Sequence, residues 1–142
     1  GFSEYVDRIL SNMRSFEDVF KSYPGLMVTG GSSNHLMVLD TYNTFGLTGQ
    51  AAEALLEEVG ILTNRQVIPG EKNKPYIASG IRLGTAWISA RGYSSAESRT
   101  IAQSILDIFR EPDNSTLKDA THSSLQNILS TRHESDVWHN ES

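Results

Sequence analysis

The 142-residue chain has no cysteine. That excludes disulfides, thiolate nucleophiles and thiolate-bound zinc, and agrees with a reducing cytosol. Lysine is scarce: Lys21, Lys72, Lys74 and Lys118 are the only four, and all stand in polar sequence. None has the desolvated or cation-flanked surroundings that make an amine a covalent catalyst. Positive charge is short overall, with twelve Lys plus Arg against seventeen Asp plus Glu and a net charge of −5. No basic cluster accompanies it, so a surface that tracks phosphates, and with it a nucleic-acid partner, is not expected. No apolar run approaches the roughly 20 residues of a membrane span. The opening GFSEYVDRIL lacks the charged-then-apolar layout of a signal peptide. A cytoplasmic protein without a membrane partner is the expectation.

The length suits one domain with a core that needs no covalent or metal staples. Residues 1–130 carry the patterned sequence, and 131–142 read as a disordered tail. From Ser3 to Phe20, Val6, Ile9, Leu10, Met13, Phe16, Val19 and Phe20 recur at helical spacing until Pro24-Gly25 ends the pattern. Two apolar runs, LMVTGG and NHLMVLD, flank Gly30-Gly31-Ser32-Ser33 and predict an antiparallel hairpin, the second run buried on both sides. Thr48 can cap a helix through GQAAEALLEEV with Ala51, Leu55 and Val59 on one face, ended by Gly60. ILTNRQVI is a short strand, PGEKNKP a polar loop, and YIASGIRLGT a strand interrupted by glycines. Ser94 to Glu97 spells a capping box for a helix with Ile101, Ile105, Leu106 and Phe109 as its stripe, and a weaker helix spans 115–129. The order predicts an α+β fold, a small antiparallel or mixed sheet of three to four strands covered by helices.

Most chemistry-bearing residues have plain structural readings. The glycines of VTGGSS lack any phosphate-loop spacing and suit a hairpin turn. His35, heading an apolar strand, reads as a hydrogen-bonded structural imidazole. His133, Glu134, Asp136, His139 and Glu141 form a ligand-rich tail, but a solvated end accounts for them and no metal site is assigned. The serines lack a nucleophile elbow. What stands out is Arg82, in SGIRLGT, a permanent cation in a half-buried apolar run. It needs either an internal carboxylate or an external anion, because burying an unpaired charge is very costly. A fork-to-fork grip on a carboxylate is worth about 1.5–3 kcal/mol per charged hydrogen bond. Composition leaves both readings open.

Taken together, VTGGSSNHLMVLD, GLTGQAAEALLEEVGILTNRQVIP and SGIRLGTAWISARGY closely resemble the carboxy-terminal small domain of serine hydroxymethyltransferase, a pyridoxal-phosphate enzyme of the aspartate-aminotransferase fold type. The likeness is collinear from about Phe2 through the helix of Phe109. It implies that Arg82 binds the carboxylate of a serine or glycine substrate. It also implies that the cofactor's lysine and most cofactor contacts lie in a large domain, so this chain by itself has no catalytic residue. The chain is then a fragment or a split subunit, paired with a cofactor-bearing large domain in a dimer or higher oligomer. Where the family holds folate with the second asparagine of an N-K-N segment, this chain has Asn64, Arg65 and Gln66, so tetrahydrofolate is in doubt. Asn64 and Gln66 mark the folate or acceptor side, and Ala86-Trp87 replaces the usual Pro-Ala. The resemblance implies interconversion of serine and glycine, or cleavage of a β-hydroxy amino acid by a folate-independent aldolase or transaldolase. A non-catalytic binding or regulatory subunit that keeps the fold and pairs with a cofactor-bearing large-domain partner is the alternative.

Overall fold

Residues 2–30, 36–86, 89 and 93–131 are described by the computed structural model. The predicted turn at Gly31–Ser33, His35, Trp87 and the ligand-rich tail lie outside them.

The first helix, α1 (Phe2–Lys21), follows its apolar period: Met13, Phe16 and Phe20 are wholly buried and Ile9 nearly so. Gly25, at φ +84°, then turns the chain into β1 (Val28–Gly30) and β2 (Leu36–Asp40), paired antiparallel. A short helix with no apolar period to announce it, α2 (Thr41–Phe45), starts directly off β2. Asp40 caps it, accepting from the Asn43 amide at 3.0 Å and the Asn43 side chain at 2.8 Å. Thr48 caps α3 (Gly49–Glu58) through the Ala51 N–H at 3.1 Å. The buried stripe of α3 is Ala52, Leu56 and Val59, while Ala51 and Leu55 are half-buried. The face is rotated by one position from the one the spacing predicts.

Two further strands, β3 (Asn64–Gln66) and β4 (Gly80–Gly84), complete an antiparallel sheet in the order β1-β2-β4-β3. The predicted α+β class is therefore the observed one. The capping box at Ser94 and Glu97 is formed in both directions and begins α4 (Ser95–Arg110). Its residues Ile101, Ile105, Leu106 and Phe109 are buried as expected. The last helix, α5 (Ser115–Thr131), contributes Leu125 to the core and reaches α3 through a Lys118–Glu58 ion pair at 3.0 Å.

Helices cover one side of the sheet. Met37 and Leu39 of β2, with Ile81 and Leu83 of β4, join Phe16, Leu56, Ile105 and Phe109 in a single apolar cluster. The alternate residues of β2 point the other way, Leu36 exposed and Val38 half-buried. The expectation that β2 is buried on both sides is thus corrected, because a strand alternates its side chains between faces and only one face here has a helical cover. Among the described residues, no helix is long and apolar enough to cross a membrane.

Candidate functional site

Arg82 is the middle residue of β4, and the sheet's register fixes its neighbours. Thr29, Val38, Arg82 and Asn64 stand opposite one another across all four strands, and opposed residues share a face. That face is the uncovered one. Arg82 is exposed between buried Ile81 and Leu83, which corrects the half-buried reading: the apolar neighbours belong to the opposite face of the strand. Among the described residues the Arg82 guanidinium has neither an ion pair nor a hydrogen bond. The internal carboxylate, one of the two partners open to it from sequence, is not found there.

The two glycines of SGIRLGT stand two residues on either side of Arg82 and so share its face. Their roles differ from simple ligand room. A Cβ on Gly80 would lie 2.7 Å from the Leu39 carbonyl oxygen and 2.8 Å from Cγ2 of Ile68, so the space over Gly80 is filled by buried Ile68. Beside it, Met27, Thr29, Val38, Asp40, Ile68 and Pro69 line a shallow, largely apolar concavity. The exposed guanidinium therefore stands next to an apolar floor, which suits a small ligand with an anionic end.

The segment that delivers β4 to this face is tightly held. The first two N–H groups of α3, on Gly49 and Gln50, donate to the carbonyls of Ala78 and Ile77 at 3.0 Å each. The N–H groups of Thr41 and Tyr42, opening α2, donate to the Ser79 carbonyl at 3.1 and 3.0 Å. Three consecutive carbonyls thus satisfy donors that helix starts would otherwise leave unpaired. Within that grip Ala78 keeps φ +62°, a left-handed conformation that costs an L-residue about 1–2 kcal/mol and survives where surroundings dictate it.

On the edge strand, Arg65 turns to the helix side. It pairs with Glu53 of α3 at 2.7 Å, donates its amide to the same carboxylate at 2.8 Å, and reaches the Tyr76 carbonyl at 2.9 Å. The Arg65 hydrogen bond holds the Glu53 carboxyl below the usual range against a weaker opposing effect of burial. Asn64 and Gln66 consequently face the open side with Arg82. Gln66 spends an amide hydrogen locally, on the Val67 carbonyl at 3.0 Å.

A family model for serine hydroxymethyltransferase matches residues 1–105. The chain belongs to the serine hydroxymethyltransferase family. Relatives bearing that name include one from Lactobacillus acidophilus, 40% identical over 114 residues that make up 80% of this chain and 28% of the relative. One from Coprothermobacter proteolyticus is 43% identical over 109 residues, 77% of this chain and 26% of the relative. One from Lacticaseibacillus casei is 38% identical over 134 residues, 94% of this chain and 32% of the relative. The chain thus spans less than a third of the length of these serine hydroxymethyltransferases.

Members of this family use pyridoxal phosphate, whose covalent anchor is a desolvated lysine. The lysines here do not fit that role. Lys21 is more than half exposed and pairs with Glu17 at 3.3 Å, Lys118 pairs with Glu58, Lys72 donates to Asn43 at 3.1 Å in solvent, and Lys74 is exposed. What the described residues offer is a cation on an open sheet face.

Sequence reasoning named Arg82, Asn64 and Gln66, and the sheet brings all three to one face. It missed Asp40 and α2, and it read Glu71 only as part of a polar loop. An acid followed three residues on by asparagine, as in Asp40 to Asn43, is a cap signal that could have found the helix.

Proposed function

We propose that this chain is the carboxy-terminal small-domain portion of a serine hydroxymethyltransferase-like enzyme that acts on glycine, serine or another β-hydroxy amino acid. It works with a cofactor-bearing part in a dimer or larger assembly, and Arg82 grips the substrate carboxylate. The observation that carries this reading is the exposed guanidinium of Arg82, without a partner among the described residues, on the sheet face that no helix covers. A planar fork matches a carboxylate with two parallel hydrogen bonds and so fixes orientation as well as position. The grip holds the amino acid's other bonds in a defined direction, a contribution of positioning that needs no proton transfer by this chain. Bond making and breaking belong to the cofactor part.

The test is Arg82→Lys in the enzyme reconstituted from this chain and its cofactor part. The ammonium keeps the charge but loses the fork, so glycine affinity should fall roughly ten- to hundredfold, the equivalent of one charged hydrogen bond. An unchanged response to glycine overturns the carboxylate role. A cofactor-bearing part that associates with the chain and shows no turnover overturns the enzyme reading in favour of a non-catalytic subunit.

A further inference from the structure

Three residues before Arg82, Ser79 is wholly buried and every polar atom it has is engaged. Its carbonyl accepts from the amides of Thr41 and Tyr42 and from the Thr41 hydroxyl at 3.1 Å. Its N–H donates to Glu71 Oε1 at 2.9 Å, its hydroxyl donates to Glu71 Oε2, and that hydroxyl accepts from Asn73 Nδ2 at 2.8 Å. Glu71 also accepts from the amide of Ile68 at 3.3 Å and of Asn73 at 3.0 Å. Four donors, two to each carboxylate oxygen, therefore converge on Glu71. Among the described residues it has no ion pair. A carboxylate held by dipoles alone, reaching eight residues along the chain to a buried serine, does more than shape its own loop.

The next residue is Gly80, the first of β4. Gly80 is paired on both sides, with Asp40 of β2 and Gln66 of β3, so the chain runs from the latched Ser79 straight into the central strand of the sheet. Ile68, whose N–H Glu71 holds, is also the side chain that packs on Gly80. One carboxylate thus secures both the residue before the glycine and the side chain above it.

We propose that Glu71 is a positioning residue for Arg82: acting through Ser79 and Ile68, its carboxylate sets the direction in which β4 presents the guanidinium. This rests on the carboxylate-binding reading of Arg82. A fork must meet its partner within a few tenths of an ångström to make both hydrogen bonds, and a misplacement of about 1 Å from a distant change can cost roughly a hundredfold in rate.

The experiment uses Glu71→Gln and Ser79→Ala, singly and together, with two readouts. In the 142-residue chain, amide hydrogen exchange of Ile81, Arg82 and Leu83 should quicken by about tenfold or more in each single variant, while α4 amides far from the latch stay as they were. In the reconstituted enzyme, KM for glycine should rise about tenfold with kcat changed less than about threefold, and the double variant should be little worse than either single one, as for groups acting as a unit. A merely structural role would reduce the amount of active enzyme and leave KM alone. If Glu71→Gln does not fold, Ser79→Ala, which removes only a hydroxyl, carries the same test. Unchanged β4 exchange, or unchanged KM with Arg82→Lys still impaired, overturns the proposal. Unchanged KM in Arg82→Lys overturns the carboxylate reading instead, and the exchange result then stands separately.

Discussion

At the scale of single residues, two carboxylates hold charges that the fold has prepared for. Burial pushes the Glu71 carboxyl up, but the bonds from the Ser79 hydroxyl and from the amides of Asn73, Ile68 and Ser79 outweigh it, so the group sits below the usual range. Glu53 is shifted the same way, chiefly by Arg65. A carboxyl whose folded pKa is depressed stabilises the fold above its unfolded value, and that contribution is lost as pH falls through the folded one. From about pH 4.5 downward, the wild-type chain should therefore lose thermal stability. Glu71→Gln should be less stable at neutral pH and lose less on acidification. Thermal melts at pH 7, 4.5 and 3 check this, and parallel losses in both proteins would contradict it. None of this was legible in PGEKNKP. An acid between two prolines marks a polar loop, whereas the reach from Glu71 to Ser79 exists only after the loop folds back. The alternation around Arg82 was legible: in G-I-R-L-G the apolar residues occupy the odd face and the cation the even one, and reading period two correctly turns a half-buried arginine into an exposed one.

At the scale of elements, α3 and β4 meet at their backbones. Gly49 opens α3, and a Cβ there would collide with the Gly80 carbonyl oxygen and lie 3.1 Å from that of Ile77. In an open helix, glycine to alanine stabilises by about 1 kcal/mol. Here the methyl would meet backbone that three carbonyl bonds hold in place, so Gly49→Ala should destabilise by about 2 kcal/mol or more, the range of overpacked cores. Urea unfolding measures it, and a stabilised Gly49→Ala would show that the helix start is free to move. By contrast, Ser94→Ala at the exposed capping box should cost about 1 kcal/mol, read by the same unfolding curves. The two cases divide what sequence can say about a helix. Ser94 to Glu97 is a four-residue stretch of local chemistry, visible as letters. Gly49 looks like a neutral first-turn residue, and its necessity depends on a strand more than thirty positions away.

For the whole molecule, the decisive feature is a sheet with one covered face. LMVL in β2 is a continuous apolar run, which ordinarily signals burial on both sides, yet Leu36 is 48% exposed and Met27, beside the concavity, 63%. No helix among the described residues covers that face, and the relatives are nearly three times as long as this chain, so the proposed cofactor part would have room to supply a cover. The two faces should then respond oppositely to truncation. Phe16, wholly buried and packed edge-on to Phe20 with ring centroids 5.7 Å apart, belongs to the cluster that joins α1, the sheet and α4. Phe16→Ala should cost about 3–5 kcal/mol, a large part of the roughly 5–15 kcal/mol by which a domain of this size is stable. Met27→Ser and Leu36→Ser remove comparable apolar area from the open face, where water already reaches it, and should move the stability of the isolated chain by only about 0.5 kcal/mol. If the proposed cofactor part docks on this face, the same two substitutions should weaken association, because burial at that interface would be worth about 25 cal/mol per Å² of apolar surface. Urea unfolding of the chain and co-purification of the pair separate the two effects. A large loss of stability from Leu36→Ser in the isolated chain would mean that the open face is already covered from within.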